Sequence, residues 1–253
     1  MNPEKTCEDR LDRSILWLRR AGRGSEKCFL LLLLLFTALI GSTVWDLYRY
    51  TGRGIRSAPY RDFEALLAEN PDAVAWIRLD GTNIDHPVVQ GEDNFYYLDK
   101  DFQGNDYAGG CLFLDASCDP GFRDPYNIVH GHHMARGAMF GDLAKYAEER
   151  FFRENSTGVL LTPDAVYELT VIGEMTADAY DGAVYTVGGG SGSLIELQDR
   201  WTLTRAFSWE EGDRLLLLST CSGDMTNDRI AVFCRMRFVR PFSRTDNLRE
   251  ESL

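Results

Sequence analysis

Hydrophobic and polar positions divide the chain into two unlike parts. Phe29 to Val44 carries no charge and contains an unbroken leucine run, Leu30 to Leu35. With Cys28 and Trp45 at its ends it spans about 27 Å as a helix, close to the hydrocarbon thickness of a bilayer. Trp45, Tyr48 and Tyr50 supply interfacial aromatics. The segment is read as one N-terminal transmembrane helix at 28–47, between a polar cytoplasmic tail at 1–27 and a basic linker at 48–57. Arg19, Arg20, Arg23 and Lys27 stand before it, and Arg49, Arg53 and Arg56 after it. Flanking charge therefore does not decide orientation, and the expectation rests on position. A first apolar segment with a long chain behind it acts as a signal-anchor and exports residues 58–253. The alternative is a cleaved signal peptide, but the apolar core is long for one. Phe36-Thr37-Ala38 and Leu39-Ile40-Gly41 are also poor cleavage sites.

Beyond the linker the pattern changes period. Phe63, Leu66 and Leu67 recur at helical spacing and predict a helix from about Tyr60 that stops before Asn70-Pro71. A second short helical turn is expected over Asp72 to Trp76, a helix over Ala138 to Tyr146, and another from about Leu194 to Phe207 capped by Ser191 or Ser193. Strands are predicted around Trp76–Leu79, Val88–Val89, Gly110–Leu114, Asn127–His130, Gly158–Leu161, Val166–Met175, Leu215–Ser219 and Arg229–Val239. Many short strands with turns between them indicate a mostly β domain, a sandwich or a barrel. In the last strand Ile230, Val232, Cys234, Met236 and Phe238 share the face that must be core. Arg229, Ala231, Phe233, Arg235 and Arg237 lie on the other, so Cys234 is a buried, inert thiol and Arg229 points away from the core.

Composition narrows the function. A net charge of -12 argues against nucleic acid, which selects basic surfaces. The six cysteines form no CxxC pair, which argues against a zinc ribbon or thioredoxin-type site. Cys111 and Cys118 are candidates for a disulfide in an oxidising space, but spacing does not fix geometry.

The candidate chemistry sits at two strand ends. Leu215-Leu216-Leu217-Leu218-Ser219-Thr220-Cys221 is an apolar run that delivers a thiol to a rim, and Arg229 follows at the eighth position after it. Asn127-Ile128-Val129-His130-Gly131-His132-His133-Met134 ends a second strand in histidine. Taken singly, Cys221 is a strand-end cysteine, His132 a loop histidine and Arg229 a solvated arginine. Together they supply the nucleophile, proton shuttle and oxyanion partner of acyl transfer. The histidine cluster also admits a metal hydrolase, although no Asp or Glu completes a familiar metal motif around it. His86, before Pro87, reads as structural.

These motifs resemble the class B sortases over about residues 60–240. Gly131-His132, with Met134 and Gly137-Ala138-Met139-Phe140-Gly141-Asp142-Leu143 downstream, is similar to that family's histidine loop. Leu218-Ser219-Thr220-Cys221 is similar to its cysteine strand, and Arg229 to its arginine. Asn70-Pro71-Asp72, Trp76-Ile77, Pro87-Val88-Val89-Gln90 and Asp93-Asn94-Phe95-Tyr96-Tyr97-Leu98 resemble its N-terminal region. The resemblance implies an eight-stranded β-barrel with N-terminal helices and a helix before the Cys221 strand. It implies transpeptidation without a cofactor: Cys221 attacks the carbonyl after a threonine of a C-terminal sorting signal, His132 moves protons, and Arg229 steadies the oxyanion or the substrate backbone. Asn94, Leu98 and Ser219 fall where class B enzymes contact the sorting peptide. The implied partners are surface proteins bearing that signal, and an acceptor amine from a lipid II-type peptidoglycan precursor or a pilin lysine. His130 departs from the family, which commonly has tyrosine there, and Asp224 is a candidate counterpart of an acidic residue in some relatives. A different reading is an idle ectodomain of the same fold that binds peptide or wall material. With ordinary pKa values, a thiolate–imidazolium pair would amount to only ~1% of molecules at neutral pH.

Overall fold

The computed structural model describes residues 63–187, 197–221 and 227–243, together with isolated helical positions at Leu34, Phe36, Thr37, Ile40 and Gly41. The chain divides into two units, Met1–Arg53 and Gly54–Leu253. In the first, Thr37 Oγ1 donates to the Leu34 carbonyl at 2.9 Å, a helical back-bond. Among the described residues no helix is long and apolar enough to cross a membrane. The expected tail and linker, Asp224, and most of the expected span lie outside the described residues.

In the second unit the expected first helix is α1 (Phe63–Glu69), with Phe63 and Leu66 buried. It ends where the sequence says it must. Asn70 N donates to the Leu66 carbonyl, and the Asn70 side chain then accepts from Asp72 N at 2.8 Å in an Asx turn around Pro71. The helical turn expected at Asp72–Trp76 is absent. Ala73–Leu79 is a strand, β1, because each of its edges finds a partner. Trp76 pairs with Pro87 of β2 (Asp85–Val89) and with Leu161 of β5 (Thr157–Leu161). Ladder pairing on both sides outweighs a local preference.

The remaining strands are β3 (Leu112–Leu114), β4 (Tyr126–His130), β6 (Ala165–Asp178), β7 (Leu203–Thr204), β8 (Arg214–Cys221) and β9 (Asp228–Pro241). Sheet order runs β5-β1-β2-β3-β4-β8-β9-β6, and β6 pairs back onto β5, so eight strands close a barrel. β7 hangs on β6 outside the closure. It lies within the helix expected through Phe207, which stops short: Thr202 N donates to the Glu174 carbonyl and Arg205 N to the Ile172 carbonyl, so the sheet edge claims the chain there. Helical backbone reaches Gln198, and Leu194 lies outside the described residues. The helix expected at Ala138–Tyr146 is a tighter 3-10 turn over Gly141–Ala147. A further helix, α2 (Glu149–Glu154), was not expected; it carries the i,i+4 pairs Arg153–Glu149 and Arg150–Glu154.

The strand phase read for β9 holds from Ile230 to Met236; Phe238, expected on the same core face, is instead exposed near the strand's end, its ring edge-on to Tyr167. Ile230, Val232, Cys234 and Met236 enter the main core with Leu216 and Leu218 of β8. The other face is also covered. Ala231 and Phe233 join Leu215, Leu217, Ile128, Ile172 and Trp201 in a second apolar layer. Two-sided burial explains why β8 reads as a continuous leucine run rather than an alternation. Cys234 is fully buried, and burial pushes its thiol far up. Cys111 and Cys118 are free thiols in different clusters, not a disulfide, and burial pushes both to about 12.

Candidate active site

The central strand pairings assemble the predicted residues at one end of the barrel. β8 runs parallel to β4, with His130 opposite Ser219, and antiparallel to β9, with Cys221 opposite Arg229. Arg229 is half-buried and lies on the face opposite Ile230. The β4 ladder continues one step past the strand, since Gly131 N donates to the Ser219 carbonyl at 3.1 Å. His132 is thus the first residue released from that ladder.

The loop that carries His132 is held by its own sequence. His132 accepts at its carbonyl from Phe140 N at 3.0 Å, and His133 and Met139 form a bridge. Met139, Phe140 and Leu143 are buried in the main core and pin the loop from below. Two glycines permit the close packing. A Cβ on Gly131 would stand 2.4 Å from Leu112 Cδ2 and 2.8 Å from Phe140 Cδ2; one on Gly141 would stand 2.1 Å from the Met134 carbonyl. Asp142, also buried, accepts from Asn83 N at 2.8 Å and from Lys145 Nζ at 3.0 Å, which ties the loop to the β1–β2 turn. The stretch Gly137–Leu143, similar to a family signature, is therefore a strap on the His132 backbone.

His132 Nε2 lies 2.7 Å from the Leu98 carbonyl. A carbonyl can only accept, so Nε2 carries a hydrogen and Nδ1 is the nitrogen that can exchange a proton with a reacting group. Leu98 closes the 3-10 turn Tyr96–Leu98. Asp93 caps that turn by accepting from Phe95 N and Tyr96 N. Tyr97 anchors it from the buried side: its hydroxyl donates to Asp72 Oδ2 at 2.7 Å and accepts from Asn70 Nδ2.

Asn94 and Ser219, expected at the peptide, are both engaged. Asn94 Nδ2 donates to Asp115 Oδ2 at 2.8 Å and Ala116 N donates to Asn94 Oδ1. Ser219, buried, shares a 2.9 Å hydrogen bond with the hydroxyl of Tyr185, the last residue of α3 (Gly182–Tyr185). Tyr185 was not singled out from sequence; its partner is 34 positions away, and only the fold joins them. The three neighbouring histidines do different things: His130 Nε2 meets Asp115 Oδ2 at 3.0 Å, His132 meets Leu98, and His133 is exposed.

Asp115 is a buried carboxylate. Burial pushes its pKa up, but the hydrogen bonds from His130 and Ser117 N outweigh that and hold it at about 2. A depressed carboxyl adds stability above its unfolded pKa near 3.8 and loses it as pH falls toward 2, where the folded form also protonates. The shift corresponds to about 2 kcal/mol. Asp115→Asn should therefore unfold more easily in urea at pH 6 than the parent chain, and the gap should narrow by pH 3. A gap of equal size at both pH values would contradict the assignment.

Strand-end cysteine, opposed arginine and a histidine strap on a closed barrel describe a thiol-dependent acyl transferase. The comparisons agree. A family model described as the sortase domain matches residues 77–237. Sortase B of Listeria monocytogenes is 30% identical over 165 residues, which is 64% of this chain and 66% of that protein. The sortase B structure from Clostridium perfringens superposes with TM-score 0.64 at 28% identity, covering 69% of this chain and 99% of that one. A Streptococcus pyogenes class B sortase involved in pilus biogenesis superposes with TM-score 0.64 at 29% identity, covering 73% and 100%. The chain belongs to the sortase family, cysteine transpeptidases, and its relatives are of the sortase B type.

Proposed function

We propose that this is a membrane-anchored sortase that cleaves a C-terminal sorting signal after threonine and passes the acyl group to a cell-wall amine. The observation that carries the reading is the β8–β9 register, in which Cys221 stands opposite Arg229. Register partners in an antiparallel ladder lie side by side, which supports a shared task for positions 221 and 229 at one carbonyl. Residues 28–47 hold the enzyme in the membrane with residues 1–27 in the cytoplasm, 48–57 form the linker, and residues 58–253 act outside.

The Cys221 thiolate adds to the carbonyl carbon after threonine, and Arg229 steadies the oxyanion or the substrate backbone. The carbon–nitrogen bond breaks, the leaving amine takes the proton from His132 Nδ1, and a thioester remains. An acceptor amine gives its proton to His132 Nδ1 and attacks the thioester. The carbon–sulfur bond breaks, an amide forms and the thiolate returns. The His132 Nε2–Leu98 hydrogen bond supports this role, because it leaves Nδ1 as the nitrogen that exchanges a proton. The Leu98 carbonyl meets His132, Asn94 lies four positions before Leu98, and Ser219 lies two positions before Cys221, which supports their contact with the sorting peptide. The acceptor is a lipid II-type precursor amine or a pilin lysine.

Alkylation separates this reading from a metal hydrolase. Iodoacetamide should abolish transfer of a sorting peptide to an added amine, and EDTA should leave the rate unchanged. Loss with EDTA and survival of alkylation would sink the thiol mechanism.

A further inference from the structure

His130 ends β4, and its contacts give it a task of its own. Its Nε2 and the Asn94 amide meet on one oxygen, Asp115 Oδ2, at 3.0 and 2.8 Å. Asp115 also binds the same region through its main chain, where its carbonyl accepts from Gln90 Nε2 at 2.9 Å. Ala116 N returns a bond to Asn94 Oδ1. The segment from Asp93 to the Leu98 carbonyl, which ends in the 3-10 turn, is thereby zipped to the segment after β3.

The far end of that segment is held by His132. Alternate residues of the β4 extension, His130 and His132, thus grip one segment at both ends. His130 does so through Asp115 and Asn94, and His132 through Leu98 directly. The His130 ring is fixed in turn between Phe113, at 5.2 Å, and Tyr185, at 6.3 Å. Its backbone faces Ser219, two positions before Cys221.

Resting on the transpeptidase reading above, we infer that His130 is a positioning residue for the reaction: through Asp115 and Asn94 it sets the Leu98 carbonyl that holds His132 Nε2–H. Its side chain acts as a donor with a ring that fills the gap between Phe113 and Tyr185. Phenylalanine there keeps the ring and deletes the donor, and glutamine keeps a donor of similar reach. Asn94→Ala cuts the same chain of bonds at a half-buried site, with little core volume at stake.

The test uses the full chain with 15N-labelled histidine, without substrate, alongside steady-state transfer. In the parent protein neutral His132 should hold its hydrogen on Nε2. His130→Phe and Asn94→Ala should each move His132 toward a mixture of tautomers, and His130→Phe should lower kcat about tenfold with KM little changed. His130→Gln should restore both readouts to within about threefold. An unchanged His132 tautomer in His130→Phe and Asn94→Ala would overturn the inference, as would a His130→Gln variant no better than His130→Phe. A parent chain inert toward sorting peptides would overturn the transpeptidase reading instead, and the tautomer comparison would still decide the positioning role.

Discussion

Cys221→Ala lowers transpeptidation by about 10⁴-fold or more and leaves the barrel folded. The sulfur makes and breaks the covalent bond, so the variant loses the acyl intermediate and keeps only binding and polarisation. Folding is insulated from the change. β8 is held by β9 along its whole length and by β4 from Leu215 to Ser219, and its buried leucines lie before the cysteine. Product formation followed by mass spectrometry and a thermal midpoint within about 2 °C of the parent are the expected pair of results. Retained biological function in this variant would favour an idle binding ectodomain.

Gly131→Ala has the second largest expected effect, and it acts without touching any reacting atom. The added methyl would sit 2.4 Å from Leu112 Cδ2 and 2.8 Å from Phe140 Cδ2. Leu112 and Phe140 are both fully buried in the main core and have little room to retreat. Overpacking of this kind costs about 1–3 kcal/mol. With the Phe140 ring also in the way, the loop moves to relieve it, which draws His132 off the Leu98 carbonyl. A displacement near 1 Å is enough for about a hundredfold loss of kcat. Urea unfolding and steady-state rates should both show the change. A variant with reduced stability and an unchanged kcat would mean that the strap does not set the imidazole.

The parts of this site differ in how far the sequence revealed them. Cys221 and Arg229 were legible because a strand has a period of two: the alternation of Ile230, Val232, Cys234 and Met236 fixed the side on which Arg229 falls. His132 was legible because it ends an apolar run beside a glycine. The burial of Phe233 and Ala231 was not, since a second apolar layer is supplied by residues from β6 and the segment before β7. The strand at Ala73–Leu79 was misread at its start for a similar reason. Alanine, valine and tryptophan in Ala73–Trp76 do not choose between helix and strand, and the partners on β2 and β5 do. α2 did leave a signal, the charge pairs at i,i+4 over Glu149 to Glu154, outside any apolar periodicity long enough to notice. The link from His130, at the end of β4, to Asp115, just after β3, joins residues 15 positions apart, and no local pattern announces it.

A covalent Cys221 intermediate is what separates a transpeptidase from an idle barrel. Incubation of the full chain with sorting peptides of the Asn-Pro-x-Thr-Asn-like and Pro-x-Thr-Gly-like classes, followed by intact-mass and peptide mapping, tests it most directly. The predicted result is a hydroxylamine-sensitive adduct on Cys221 with the mass of the peptide up to its threonine, absent from Cys221→Ala. No adduct from either class, or an adduct carried by another residue, would contradict it.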